Sequence, residues 1–218
     1  MYIPRLKITL SLDLQPGDRI GITGRSGIGK SQILRCVAGL ELATITDDNC
    51  SMEEKGEKDA VLLLDGKIPT YMPSYRTMVC FVPQNTRPNL EGTPRMFWEQ
   101  IQSFQVHQEG RQDMSRSDML PKSPIDLIRQ WELPESILDQ SWSTLSGGES
   151  QRVLLAIALG ALRPRALLLD EFTSALDDAT SKAVEATLVQ SQIPVLVVTH
   201  SQSQLHRFCT KQIELLDT

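Results

Sequence analysis

The stretch "LKITLSLDL" (6–14) alternates apolar and polar residues, and a period of two predicts a strand with one exposed face. "PGD" (16–18) turns the chain, and "RIGIT" (19–23) reads as a short strand running into a glycine-rich loop. After Lys30 the period changes. Ile33, Leu34, Val37 and Ala38 recur at helical spacing, and Gly39 is placed to end that helix. "AVLLLDGK" (60–67) and "TMVCFVPQ" (77–84) read as further strands, the second ending at Pro83. Residues 85–145 are polar, rich in Gln, Ser, Met and Pro, with helical pieces near "PRMFWEQIQSF" (94–104) and "PIDLIRQWEL" (124–133). From Ser146 the pattern is a helix through "ESQRVLLAIALGAL", a strand "ALLLD", a helix "DDATSKAVEATLVQS" and a strand "VLVVTH". Continuous apolar strands alternating with amphipathic helices imply an α/β fold whose parallel sheet is covered on both faces.

Residues 44–59 break this rhythm with six acids against two lysines and little that is apolar, which predicts an exposed, mobile loop. The carboxylates there show no ligand spacing, so a metal site is not the reading taken. A net charge of −5 supplies no overall basic field, and no nucleic-acid partner is expected. Cys36, Cys50, Cys80 and Cys209 form no CxxC pair, which suits a reducing compartment and small buried side chains better than disulfides or zinc. The longest apolar stretch, "VLLAIALGAL" (153–162), falls well short of the roughly 20 residues that cross a bilayer. No secretory leader is expected.

The candidate chemistry begins at "GRSGIGKS", Gly24, Arg25, Ser26, Gly27, Ile28, Gly29, Lys30 and Ser31, followed by Gln32. It fits G-x-x-x-x-G-K-[ST] between a strand and a helix, the context that pattern requires. Glycines let successive backbone N–H groups converge on phosphate oxygens, and the next helix turns its positive end toward the same anion. Lys30 supplies a mobile charge for the β- and γ-phosphates, and the Ser31 hydroxyl can ligate Mg²⁺. "RALLLDE" (165–171) complements it: a buried strand ending in Asp170, suited to hold Mg²⁺, and Glu171, suited to orient or deprotonate an attacking water. Alone, two acids after an apolar run signify little. Paired with the loop, they point to hydrolysis.

A second glycine-flanked helix start lies in "LSGGESQRVLLAIAL", where Ser146, Gly147 and Gly148 could cradle another anion. "LSGGESQ" resembles the signature of ATP-binding cassette (ABC) ATPases, and the resemblance spans nearly the whole chain. The loop at 24–31, Gln84 after a strand, the signature at 145–151, "LLLDE", "SALD" at 174–177 and His200 after "VLVVT" occur in the family's order.

The resemblance implies a P-loop NTPase (RecA-like) parallel-sheet core with antiparallel strands, residues 1–84 and 146–218, into which a helical subdomain, 85–145, is inserted. It implies ATP and Mg²⁺ as ligands and a head-to-tail dimer of two copies, or of one copy and a similar cassette. The 24–31 loop of one subunit would face Ser146–Gly148 of the other. Gln84 would contact Mg²⁺ or the attacking water, Asp170 would hold Mg²⁺, His200 would meet the γ-phosphate, and Asp177 would link the two sites. A separate membrane subunit would convert ATP hydrolysis into transport, with this chain peripheral on the cytoplasmic face and Met96, Phe97 and Trp98 as candidate groove residues beside their plainer role in the core. "ELPESILDQSWSTLSGGESQR" and "LLLDEFTSALDD" are similar, more loosely, to a group that includes a bacterial iron-export ATPase and a plant aluminium-tolerance ATPase. A soluble cassette acting on another assembly, such as an iron–sulfur scaffold, is the alternative. Two departures from the family pattern stand out: only Tyr2 is available before the loop to stack on adenine, and residues 44–59 replace a short turn. His107 and His206 match no motif.

Overall fold

The computed structural model describes residues 2–3, 8–9, 12–41, 44–45, 58–59, 71–84, 90–104 and 123–216. The strand read at 60–67 and His107 lie outside them. Four two-residue strands, β1 (Tyr2–Ile3), β2 (Ile8–Thr9), β4 (Thr44–Ile45) and β5 (Lys58–Asp59), pair antiparallel in the order β2-β1-β4-β5. The two ends of the acidic stretch are therefore not loop. Thr44 pairs with Asp59 and Ile45 with Lys58, closing it as a hairpin that the charge pattern concealed.

The main sheet contains β3 (Arg19–Gly24), β6 (Val79–Val82), β7 (Ala166–Asp170), β8 (Val195–Val198) and β9 (Lys211–Leu215), in the order β6-β7-β8-β3-β9 with every pairing parallel. Successive side chains of a strand point to opposite faces. Leu167 and Leu169 of β7 accordingly join one apolar cluster, with Val195 and Val197 of β8, while Leu168 joins another with Leu196 and Val198. Both faces are buried, which is why these strands read as unbroken apolar runs.

Helices α1 (Lys30–Val37) and α2 (Met72–Met78) cover one face through Ile33, Leu34 and Tyr75. The other face carries α4 (Pro124–Gln130), α5 (Gly147–Ile157, continued as a π-helix over Ala158–Leu162), α6 (Asp178–Ser191) and α7 (Gln202–Phe208), with α3 (Pro94–Ser103) and 3₁₀ turns at Glu135–Asp139 and Trp142–Thr144. Each of α3 to α7 starts at a side-chain cap, Thr93, Ser123, Ser146, Asp177 and Ser201, whose oxygen accepts a first-turn backbone N–H. Pro94 and Pro124 stand where an N–H would be unmatched anyway. At the far end of α1, Gly39 takes φ +68 and its N–H donates to the Cys36 carbonyl. β6 starts later than the apolar pattern predicts, because Thr77 and Met78 finish α2.

Candidate nucleotide site at the carboxyl edge of the sheet

The register of the main sheet decides which residues meet. Val82 pairs with Leu169, Asp170 with Val198, and Val198 with Ile22. Four adjacent parallel strands thus end at one edge. From it emerge Gln84 after β6, Asp170 and Glu171 at β7, His200 after β8, and the glycine loop after β3. Ligands of parallel sheets collect at such an edge.

In the loop, Arg25, Ser26 and Gly27 form an exposed turn, Ile28 is tucked partly against the core, and Gly29 caps α1 with φ 101° and no side-chain hydrogen bond. Lys30 is only 6% exposed, and its ammonium donates to the carbonyls of Gly24 (2.9 Å) and Arg25 (2.8 Å). Ser31 is exposed on the first turn of α1 and Gln32 half-buried. Gly24 has a further reason to be glycine. A Cβ there would lie 2.8 Å from the Leu215 carbonyl oxygen, so close packing on β9 excludes a side chain.

Asp170 is 5% exposed, and its Oδ1 is buried without a hydrogen-bond partner. A buried carboxylate oxygen left in that state is costly unless a cation or a donor meets it. With the Ser31 hydroxyl, it is an oxygen donor set of the hard kind that Mg²⁺ takes, so the residues present fit that ion. Glu171 follows in the left-handed region at φ 46°, a conformation that costs a residue with a Cβ about 1–2 kcal/mol. Its N–H donates to the Val198 carbonyl (2.8 Å) and its carbonyl accepts from Ser174 (3.0 Å). The Glu171 carboxylate accepts from the Gln84 amide at 2.8 Å and lies 3.4 Å from His200 Nε2. The structure therefore brings Gln84, Glu171 and His200 into one cluster. A cleft of about 440 Å³ opens beside it, lined by Glu171, Thr199, His200 and the turn that follows Glu171.

Ser146 caps α5 in a reciprocal arrangement: its hydroxyl accepts from the Glu149 N–H (3.3 Å), while the Glu149 carboxylate accepts from the Ser146 N–H (2.8 Å) and hydroxyl (2.7 Å). Those bonds, the hydroxyl's first, hold the Glu149 carboxyl below its usual range. The Ser-x-x-Glu spacing announces this box, a cap that the same residues form beside their candidate role as an anion cradle. Gly148 packs where a Cβ would sit 2.6 Å from the Ala175 carbonyl oxygen, whereas one on Gly147 would meet only the Ala175 methyl, at 3.6 Å. The signature turn is thus seated on the loop that follows Glu171. Asp177, read as a link between two sites, caps α6 through the Thr180 N–H (2.9 Å) and hydroxyl (2.7 Å), which lower its pKa in that order.

Phe97 packs edge-on to Trp142, Trp98 packs against the same apolar cluster, and Met96 is exposed. His206 is exposed on α7. Tyr2 falls in β1, opposite Thr9 and Thr44. No helix among the described residues is long and apolar enough to cross a membrane.

The ABC transporter family profile matches residues 8–174. Among curated relatives, the probable iron export ATP-binding protein FetA of Escherichia coli (strain K12) is 31% identical over 206 residues, 90% of this chain and 79% of that protein. The phosphate import ATP-binding protein PstB 2 of Aliivibrio fischeri is 29% identical over 203 residues, covering 91% and 70%. Against the methionine import ATP-binding protein MetN of Clostridium tetani the chain spans 60% of the relative's length. A solved dimer of the ATP-binding cassette MJ0796, in a post-hydrolysis state with ADP and Pi, superposes with a TM-score of 0.62 at 26% identity, over 94% of this chain and 83% of the other. The chain belongs to the ABC transporter family, as an ATP-binding cassette ATPase.

Proposed function

We propose that the chain is the ATP-hydrolysing subunit of a transporter, working as a head-to-tail dimer that drives a separate membrane protein from its cytoplasmic face. The observation that carries this reading is the cluster of Gln84, Glu171 and His200 at the sheet edge that also presents the Lys30 loop. Gly24 to Gln32 wrap the phosphates, and Lys30 exchanges its two carbonyl acceptors for phosphate oxygens. Ser31, Asp170 and Gln84 would hold Mg²⁺, which would neutralise charge on the phosphate oxygens. Glu171 orients the attacking water and takes its proton, and His200 meets the γ-phosphate.

In the dimer, Ser146, Gly147 and Gly148 of one copy close over the nucleotide of the other. Asp177 links the sites, because the loop it ends runs from Glu171 past Gly148 to α6. The MJ0796 cassette, solved as a dimer with ADP and Pi, supports the pairing of two copies. Residues 85–145, carrying α3, α4 and the 3₁₀ turns, form the helical subdomain, and the exposed Met96 faces the membrane partner. Relatives named for import and for export of different cargoes support transport without selecting a substrate.

Replacing Glu171 with Gln should abolish turnover, preserve ATP binding and trap a dimer on size exclusion in ATP. A variant that stays monomeric in saturating ATP, while the unmodified protein hydrolyses it, would overturn the shared-site mechanism.

A further inference from the structure

Glu171 occupies an unfavourable backbone conformation, so something must hold its loop against relaxing. One restraint is the Glu171 N–H bond to Val198. A second comes from α7, through a buried polar cluster that the ATPase motifs do not include. Gln204 is 1% exposed, and its amide nitrogen donates to the Thr173 hydroxyl (2.8 Å) and to Glu185 Oε1 (3.0 Å). Glu185 is 3% exposed, and the Arg207 guanidinium grips both its oxygens, at 2.6 and 2.9 Å, while lying 3.5 Å from Asp178.

This cluster is costly to build. The Gln204 carbonyl oxygen is buried without a partner, and reversing the amide would set that oxygen against the Glu185 carboxylate. The amide is therefore locked with its nitrogen toward Thr173. Thr173 lies two residues past Glu171, and Gln204 four past His200. The bond between them joins the segment bearing the carboxylate to the segment bearing the imidazole, across the cleft that both line.

We propose that Gln204, fixed by Glu185 and Arg207, is a positioning residue for ATP hydrolysis, holding Thr173 so that Glu171 stands at its working distance from His200. The proposal rests on the role given to Glu171 above. Loss of the Gln204 bond frees the loop at Thr173, one of its points of attachment, and misplacement of a reacting group by about 1 Å can cost on the order of 100-fold in rate.

The test compares Gln204→Leu, Thr173→Val, their combination, Thr173→Ser and Glu171→Gln in the full chain, measuring kcat, KM for MgATP and thermal melting. Each of the first two should lower kcat about 10- to 100-fold with KM within about twofold. Together they should lower it no further than either alone, since both remove one bond. Thr173→Ser should restore turnover. Gln204→Glu adds a readout that loosened packing would not produce. Its protonated carboxyl can supply one of the amide's two hydrogen bonds, and once ionised it supplies none and is repelled by Glu185, so kcat should fall more steeply with rising pH than in the unmodified protein.

Gln204→Leu with kcat within twofold of the unmodified protein would overturn the proposal, as would losses in the two single variants that multiply in the double. Should Gln204→Leu fail to fold, Thr173→Val, at a half-exposed position, decides the matter by the same kcat criterion. Retained turnover in Glu171→Gln would instead remove the assignment of Glu171 on which the proposal stands.

Discussion

Adding one methyl group should destabilise the protein at Gly148 but not at Gly147, although the two are neighbours in the first turn of α5. At Gly148 the new carbon would lie 2.6 Å from the Ala175 carbonyl oxygen and 3.2 Å from a Leu176 methyl. The oxygen belongs to the backbone of a turn closed by the Leu176 N–H to Thr173 bond (3.0 Å) and continuing into the Asp177 cap, so it cannot swing aside as a side chain would. Overpacking of this kind costs about 1–3 kcal/mol, against a gain near 1 kcal/mol from replacing glycine by alanine in a helix. Gly148→Ala should therefore destabilise by up to about 2 kcal/mol. Gly147→Ala makes only an ordinary contact at 3.6 Å, so it should leave stability unchanged or raise it by up to about 1 kcal/mol.

Urea unfolding followed by the emission of the buried Trp131 and Trp142 reads both changes as shifts in midpoint. ATPase rates on the same samples separate the roles. Gly148→Ala should lose activity together with stability, since its clash displaces the loop from Glu171. Gly147→Ala should lose activity while remaining as stable as the parent, because the proposed dimer sets it against the nucleotide of the second copy. Equal midpoints for the two variants would refute the packing account. A fully active Gly147→Ala would refute the role proposed for that turn.

Thr187→Val should destabilise by about 1–3 kcal/mol on equilibrium unfolding, because the Thr187 hydroxyl accepts from the buried Trp131 indole (3.1 Å) and from Gln130 (3.1 Å). Melting temperature should be level from neutral pH to about pH 5 and then fall as pH approaches 3. Glu149 and Asp177 have lowered pKa values from their capping bonds, so their contribution is complete above the unfolded values and disappears as each protonates. Substituting both with their amides, which still cap, should flatten part of that fall in a pH series of melts.

Much of the site was legible because its parts are local. The loop from Gly24 to Ser31, the acids ending "ALLLD" and "DE", and the glycines before α5 are contiguous patterns with contiguous causes. The alternation of buried strands and helices likewise announced the parallel sheet. What escaped were elements whose apolar content is low: α2 begins on Met72 and Pro73, and α7 buries Gln204 beside Leu205 and Phe208. β9 shows mostly exposed positions because it is an edge strand. The hairpin ends at Thr44–Ile45 and Lys58–Asp59 were hidden by the charge between them.

By itself, then, the order of residues determined that a phosphate-binding loop, two acids and a second helix start exist, since dihedral freedom and helix termini belong to a few neighbouring residues. Only the tertiary structure decided which of them meet. The parallel register set Gln84, Glu171 and His200 at one edge although they are separated along the chain. Close packing then made Gly148 a seat for Ala175, and burial left Gln204 no choice but to hold Thr173. Distances through space depend on how strands align and which surfaces exclude water, and neither is written in any short stretch of sequence.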